Sequence, residues 1–251
     1  MKKVKSRVLL ALICFLSACG QSTYVISSVE SSRIAMNSAW DTQANPELVS
    51  LIASYKNRLE AEISEPIGFA AQTLRKGYPQ SLLSNFTADA IQQFGEQVWG
   101  DVDFSVMNMG GLRATLNQGA ITTGNLYEVY PFENGLVLLE LPGKAVKEFF
   151  DSVAFQGGQG LSGTVNLAVK KRKVESLKIG GKPLDKNKTY RIASIDYLAE
   201  GNDGMAAFLQ ATKILDSGKS LREWMIEYVK TLTANNIEIN ATIDSRITVH
   251  N

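Results

Sequence analysis

Short apolar runs of strand length alternate irregularly with amphipathic helical stretches. That mixture confines the chain to a mixed sheet with helices packed against it. The runs cover residues 104–107, 136–141, 165–169, 174–179, 190–195 and 247–249, with Gly157-Gly158 and Gly180-Gly181 as turn punctuation. Helical spacing links Leu48, Ile52, Tyr55, Leu59 and Ile63. Ahead of them Asn45 can cap, Pro46 fits the first turn and Glu47 suits the positive end. Further helices are expected over 81–94, with Leu82, Phe86, Ala90 and Phe94 on one face, and over 145–153. A last helix should start at a Ser220/Glu223 capping box and run through Trp224, Tyr228 and Leu232. Residues 33–40 look strand-like. With no strict β-α-β alternation and no internal repeat, the expected class is α/β in the α+β sense.

Lys2, Lys3, Lys5 and Arg7 precede an apolar run over residues 8–16, and Leu16-Ser17-Ala18-Cys19 follows. This order reads as a secretory signal over 1–18, too short for a stable bilayer span. A cysteine at the cleavage point makes it a lipobox, so Cys19 is expected to carry a diacylglycerol and to anchor the chain to a membrane. Cys14 would leave with the signal. Residues 19–32 are serine-rich and aperiodic, which suits a tether. With Cys19 lipidated no thiol remains for a disulfide. The fold must then rest on its core, which about 230 residues can supply. Loss of the four basic residues leaves a chain of formal charge +1 mildly acidic. No basic patch stands out, so a nucleic acid polymer is not an expected partner. Lys170-Lys171-Arg172-Lys173 lies between two strand-like runs and reads as a solvated hairpin tip.

Catalytic constellations are scarce. His250 is the single histidine, whereas a two-metal phosphatase ordinarily needs several imidazoles. A Ser-His-Asp arrangement would have to use the same residue, and no Gly-x-Ser-x-Gly turn accompanies it. No catalytic residue, metal or cofactor is therefore assigned to this chain.

Three segments are more informative. Asn108-Met109-Gly110-Gly111-Leu112-Arg113 follows a strand directly; its glycines permit close backbone approach to a ligand, and Arg113 offers a planar fork to phosphate or carboxylate. A structural Gly-Gly turn with a surface arginine fits those residues equally well. Tyr130-Pro131-Phe132-Glu133-Asn134 is a rigid corner, read as structural with Phe132 in the core. In the stretch from Asp196 to Gly204, Tyr197 can stack on a base while Asp203, within a Gly-Asn-Asp-Gly turn, accepts hydrogen bonds.

In this order and spacing the three segments resemble the C-terminal domain of the 5′-nucleotidase family, which carries Asn-x-Gly-Gly-Ile-Arg, then Pro-Phe, then a late aromatic before Gly-Gly-Asp-Gly. Asn85 with Ala88-Asp89-Ala90, and Thr189-Tyr190-Arg191-Ile192, match further family positions. The resemblance covers about residues 63–249. It implies that residues 64–251 form a nucleotide-recognising domain. Asn108, Gly110, Gly111 and Arg113 would shape the phosphate or ribose side, Tyr197 would be one stacking ring where Phe is more usual, and Asp203 a polar contact. The second ring should lie shortly before Leu161, where Gly157-Gly158-Gln159-Gly160 stands, leaving Phe155 as the nearest aromatic. Asn202 replaces a glycine of the late turn.

Residues 33–63 resemble the strand and linker helix that join the two halves of fused enzymes, and nothing in the chain matches the family's metal-binding half. The resemblance thus implies a recognition subunit that docks on a separately encoded metallophosphoesterase chain holding two divalent metals. A stand-alone nucleoside- or nucleotide-binding lipoprotein is the alternative. The default location is the periplasmic side of an outer membrane.

Overall fold

The computed structural model describes residues 24–35, 37–38 and 45–250. Cys14 and Cys19, and with them the signal and lipid site, lie outside these residues. The chain divides into two units, Met1–Leu51 and Ile52–Asn251. In the first, Tyr24, Val25, Ile26 and Ile34 are exposed. The strand expected over 33–40 is not formed at residues 33–35, because no described strand runs beside them to complete a ladder; residues 36, 39 and 40 lie outside the description. Helix α1, Pro46–Ile63, begins where Asn45 Oδ1 accepts from the Glu47 N–H at 2.8 Å, as the capping residues predict.

The second unit holds the core. Strand β1 (Pro66–Ala70) leads to helix α2 (Leu82–Trp99), whose Ser81 and Ser84 form a reciprocal capping box. The helix outruns the expected 81–94 and stops at Gly100, at φ +77°. Next come β2 (Phe104–Met107), a 3₁₀ turn (Met109–Gly111), β3 (Gly119–Thr122), α3 (Thr123–Val129), β4 (Gly135–Pro142) and α4 (Gly143–Gln156). After them run β5 (Gly160–Leu161), β6 (Val165–Lys170), β7 (Lys173–Ile179), β8 (Lys182–Pro183) and β9 (Thr189–Ile195). The chain finishes with α5 (Asp196–Ala199), a 3₁₀ turn (Ala206–Gln210), β10 (Lys213–Ser220), α6 (Leu221–Ala234) and β11 (Ile247–His250). Lys171 and Arg172 form the β6–β7 tip with φ +48° and +60°, a hairpin turn as the charge run suggested. Helix α6 starts at the predicted Ser220/Glu223 box. No described helix is long and apolar enough to cross a membrane.

The central sheet has the order β10-β4-β9-β2-β5, so the mixed α/β expectation holds. Its middle is what positions the site. β2 and β9 run parallel, Phe104 beside Ile192, while β4 runs antiparallel to β9 with Leu136 opposite Ile195. The C-terminal ends of β2 and β9 and the N-terminal end of β4 therefore open at one sheet edge. Helix α4 is clamped below by rings: Phe149 packs on Phe150 at 4.8 Å and on Phe208 at 4.9 Å, and Phe150 on Phe104 at 5.3 Å.

The segment from Ile239 to β11 is laid across the N-terminal part of this unit. Ile239 bonds the backbones of Phe69 and Ala71; Gln72, Gln80 and Asn85 donate to carbonyls of Ala241, Asp244, Ile247 and Thr242. Arg246, 4% exposed, forks to Asp89 and Asp244 and donates to the Leu161 carbonyl at 2.8 Å. The guanidinium bond holds the Asp244 carboxyl below the ordinary carboxylate range, against the opposing effect of burial. A depressed folded pKa adds stability above the unfolded value, about 3.9, and the gain is lost as pH falls through the folded one. Asp244→Asn should therefore trail the wild type most at neutral pH. The gap, followed by urea unfolding against pH, should close below about pH 4.

Candidate functional site

Loops from the three strand ends meet around a cavity of about 290 Å³. From the end of β2 come Asn108, Gly110, Gly111 and Arg113; from the turn before β4 come Phe132 and Asn134; from the end of β9 come Tyr197 and Asp203. Residues up to 95 positions apart are brought together by the parallel pairing of β2 with β9.

Asp203 is the hub. Its backbone sits at φ +50°, which turns the carboxylate back over the loop after β2. Asn108 Nδ2 donates to Asp203 Oδ2 at 2.5 Å, and the Tyr197 hydroxyl donates to Oδ1 at 3.1 Å. That hydroxyl bond, and the carboxylate charge behind it, raise the Tyr197 phenol above its usual pKa. Asn202, in place of a glycine, donates Nδ2 to the Tyr197 carbonyl at 2.9 Å and braces the ring's backbone. The glycines are needed for closeness. A Cβ on Gly110 would stand 3.2 Å from Asp203 Oδ2, and one on Gly111 would meet Met107 Cε and come within 2.8 Å of Asn108 Oδ1.

Arg113 is exposed, its backbone N–H bound to the Val129 carbonyl at 2.9 Å. Its guanidinium carbon lies 6.0 Å from the Phe132 ring centroid, within range of a cation–π contact. Its Nη1 has only a long 3.5 Å bond, to the Gly110 carbonyl, so most of the planar fork faces outward.

Two expectations need correction. Phe132 is not a core residue: it is 47% exposed and lines the cavity. Tyr130, two residues earlier, takes the buried place at 2% exposure, its hydroxyl 2.7 Å from Thr87 Oγ1, and Arg222 Nη1 holds its carbonyl. The corner at Pro131 then carries Phe132 outward on the far side. Phe155 does not join Tyr197 in the cavity; it is 65% exposed and lines an adjoining depression. Phe132 and Asn134 were missed as site residues. The signal for them was positional, a ring locked by proline between two elements at a strand start.

Among the described residues no three His, Cys, Asp or Glu side chains cluster as metal ligands. His250 lies on β11 with Nδ1 2.6 Å from Glu175 Oε2.

The mixed-sheet domain thus opens an aromatic-lined, singly basic cavity at the ends of its central strands. The family model for the 5′-nucleotidase C-terminal domain matches residues 60–210, and the chain belongs to that family. Protein UshA of Yersinia enterocolitica is 26% identical over 190 residues, 74% of this chain and 34% of UshA. The trifunctional nucleotide phosphoesterase protein YfkN of Bacillus subtilis is 28% identical over 211 residues, 76% of this chain and 14% of YfkN. A 5′-nucleotidase precursor from Thermus thermophilus superposes with a TM-score of 0.70 at 26% identity, covering 80% of this chain and 42% of its own. The chain thus spans about a third of the length of UshA.

Proposed function

We propose that this chain is the nucleoside- and nucleotide-recognising subunit of a split 5′-nucleotidase, acting in nucleotide catabolism with a separately encoded metallophosphoesterase chain that holds two divalent metals. The observation that carries the reading is one cavity lined by two exposed rings, Phe132 and Tyr197, with hydrogen-bond acceptors on Asp203 and a free-facing arginine fork on Arg113. Two rings suit a base, a carboxylate suits sugar hydroxyls, and a planar cation suits phosphate. Support also comes from family membership and from the names of its relatives, a nucleotide phosphoesterase and a 5′-nucleotidase precursor. Docking on the partner is assigned to α1, whose Leu48, Ile52, Tyr55 and Leu59 are each more than half exposed.

The test is reconstitution. The purified chain should not hydrolyse nucleoside monophosphates with Mn²⁺, Zn²⁺ or Mg²⁺, and hydrolysis should follow when a metallophosphoesterase encoded beside it is added. Turnover that copurifies with this polypeptide alone sinks the split-enzyme reading. Tyr197→Ala should weaken nucleoside binding by about 1–3 kcal/mol in calorimetric titration, the usual worth of a base–ring stack. An unchanged affinity would remove the stacking role. Lipid attachment at Cys19, on the periplasmic face of an outer membrane, completes the proposal; labelled lipid that persists in Cys19→Ala rejects it.

A further inference from the structure

We propose that the recognition cleft continues past Asp203 into a second subsite, formed by Tyr78 and Phe155, that takes an uncharged planar ring carried on a sugar hydroxyl of the nucleoside. The inference rests on the nucleoside reading of the first cavity. A depression of about 510 Å³ adjoins that cavity and shares Gly110 and Asp203 with it. Tyr78 is 61% exposed and Phe155 65%, so two large rings face solvent inside a concavity instead of packing into the core.

Their nearness is built in. Phe155 stands in the last turn of α4, and the N–H groups of Gly157 and Gly158 both return to the Val153 carbonyl. Gly158 then lies directly on the backbone of Pro79: a Cβ there would run into the Pro79 carbonyl and stand 2.6 Å from its Cα. The residue before that proline is Tyr78. A contact open only to glycine therefore brings the two rings to one depression.

The floor is a continuous chain of hydrogen bonds. The Met109 N–H donates to Gln159 Oε1 at 2.9 Å, Gln159 Nε2 to Gln156 Oε1 at 3.0 Å, Gln156 Nε2 to Ser152 Oγ at 2.9 Å, and Ser152 Oγ to the Gly204 carbonyl at 2.8 Å. This ties the loop after β2 to the Asp203 turn and uses up much of the floor's polar capacity. Stacking on Tyr78 and Phe155 is then the main attraction left.

Charge selects the linkage. Arg113 lines the first cavity only, whereas Asp203 lies in the wall of both. A group that crosses between them passes a carboxylate, which accepts from hydroxyls and repels phosphate. Arg172 lies 5.8 Å from the Phe155 centroid and is not part of the lining, and it disfavours a cationic ring there. The crossing group is thus a sugar oxygen in a neutral linkage, and the ring beyond it is uncharged.

The probe is AMP with an N-methylanthraniloyl ester on its ribose hydroxyls, compared with AMP itself by titration of the whole chain. The ester should bind about tenfold more tightly, the worth of one ring stack. The ratio of the two affinities should fall to about one in Phe155→Ala and in Tyr78→Ala, both solvent-facing positions whose folding circular dichroism can check. A wild-type chain that binds AMP but shows no preference for the ester overturns the second subsite alone. So does a preference that survives in the double variant. A chain that binds neither ligand overturns the nucleoside reading as well.

Discussion

Arg246→Ala should destabilise the chain by about 3 kcal/mol in urea unfolding, near the lower end for breaking a buried ion pair. The loss sits low in that range because Asp89 and Asp244 keep 46% and 39% of their side chains in water and can be rehydrated. What water cannot restore is the junction. Arg246 Nη1 reaches both Asp89 and the Leu161 carbonyl, Nη2 reaches Asp89 and Asp244, and Nε reaches Asp244. One guanidinium thus joins α2, β5 and the segment before β11. Arg246→Lys should recover little, since an ammonium cannot supply that fork. A loss below about 1 kcal/mol would reduce the cluster to an ordinary surface ion pair.

Gly158→Ala should cost about 4 kcal/mol, while Gly157→Ala beside it should cost about 1 kcal/mol. Both glycines have positive φ, +93° at Gly157 and +126° at Gly158. Around Gly157 a Cβ would meet nothing within 4 Å, so only backbone strain is charged to it. At Gly158 the obstacle is main chain, and no rotamer change can move the Pro79 carbonyl aside. Paired thermal melts of the two variants isolate the contact from the strain. Equal losses would mean that the turn before β5 relaxes freely and that Pro79 is not held against it.

Helices α1, α2 and α6 were readable from local signals, whereas α3, behind its Thr122/Asn125 box, was not anticipated. Ser220 with Glu223, and Asn45 with Pro46, state a start within a few residues, and the apolar stripes do the rest. Strand β10 was not readable. Its sequence, Lys-Ile-Leu-Asp-Ser-Gly-Lys-Ser, is polar and half-exposed because it is the outer strand beside β4, so burial imposed no apolar pattern on it. The same limit hid the roles of Tyr130 and Phe132. Each is an aromatic next to Pro131, and which one enters the core depends on Thr87 and Arg222, 43 and 92 positions from Tyr130. The convergence of Arg113, Tyr197 and Asp203 on one cavity was anticipated as a family resemblance. Its physical basis, the parallel β2–β9 pair, is a long-range choice that no local window encodes.

The segment laid across the start of the second unit also sets a timetable. Asn85 and Asp89 are synthesised 157 residues before Thr242 and Arg246, to which they bond. At ordinary elongation rates of about 5–20 residues per second, they wait roughly 8–30 s for these partners. In that interval the groups of Gln80, Asn85 and Asp89 that later bond this segment are left to water, and the edge of β1 stays uncovered beside Ile239's future place. Helix α2 can form early from its own cap, but its packing cannot be completed before the final dozen described residues leave the ribosome. Nascent chains halted just short of Arg246 should therefore remain protease-sensitive across the whole second unit, and release of the last strand should convert them together.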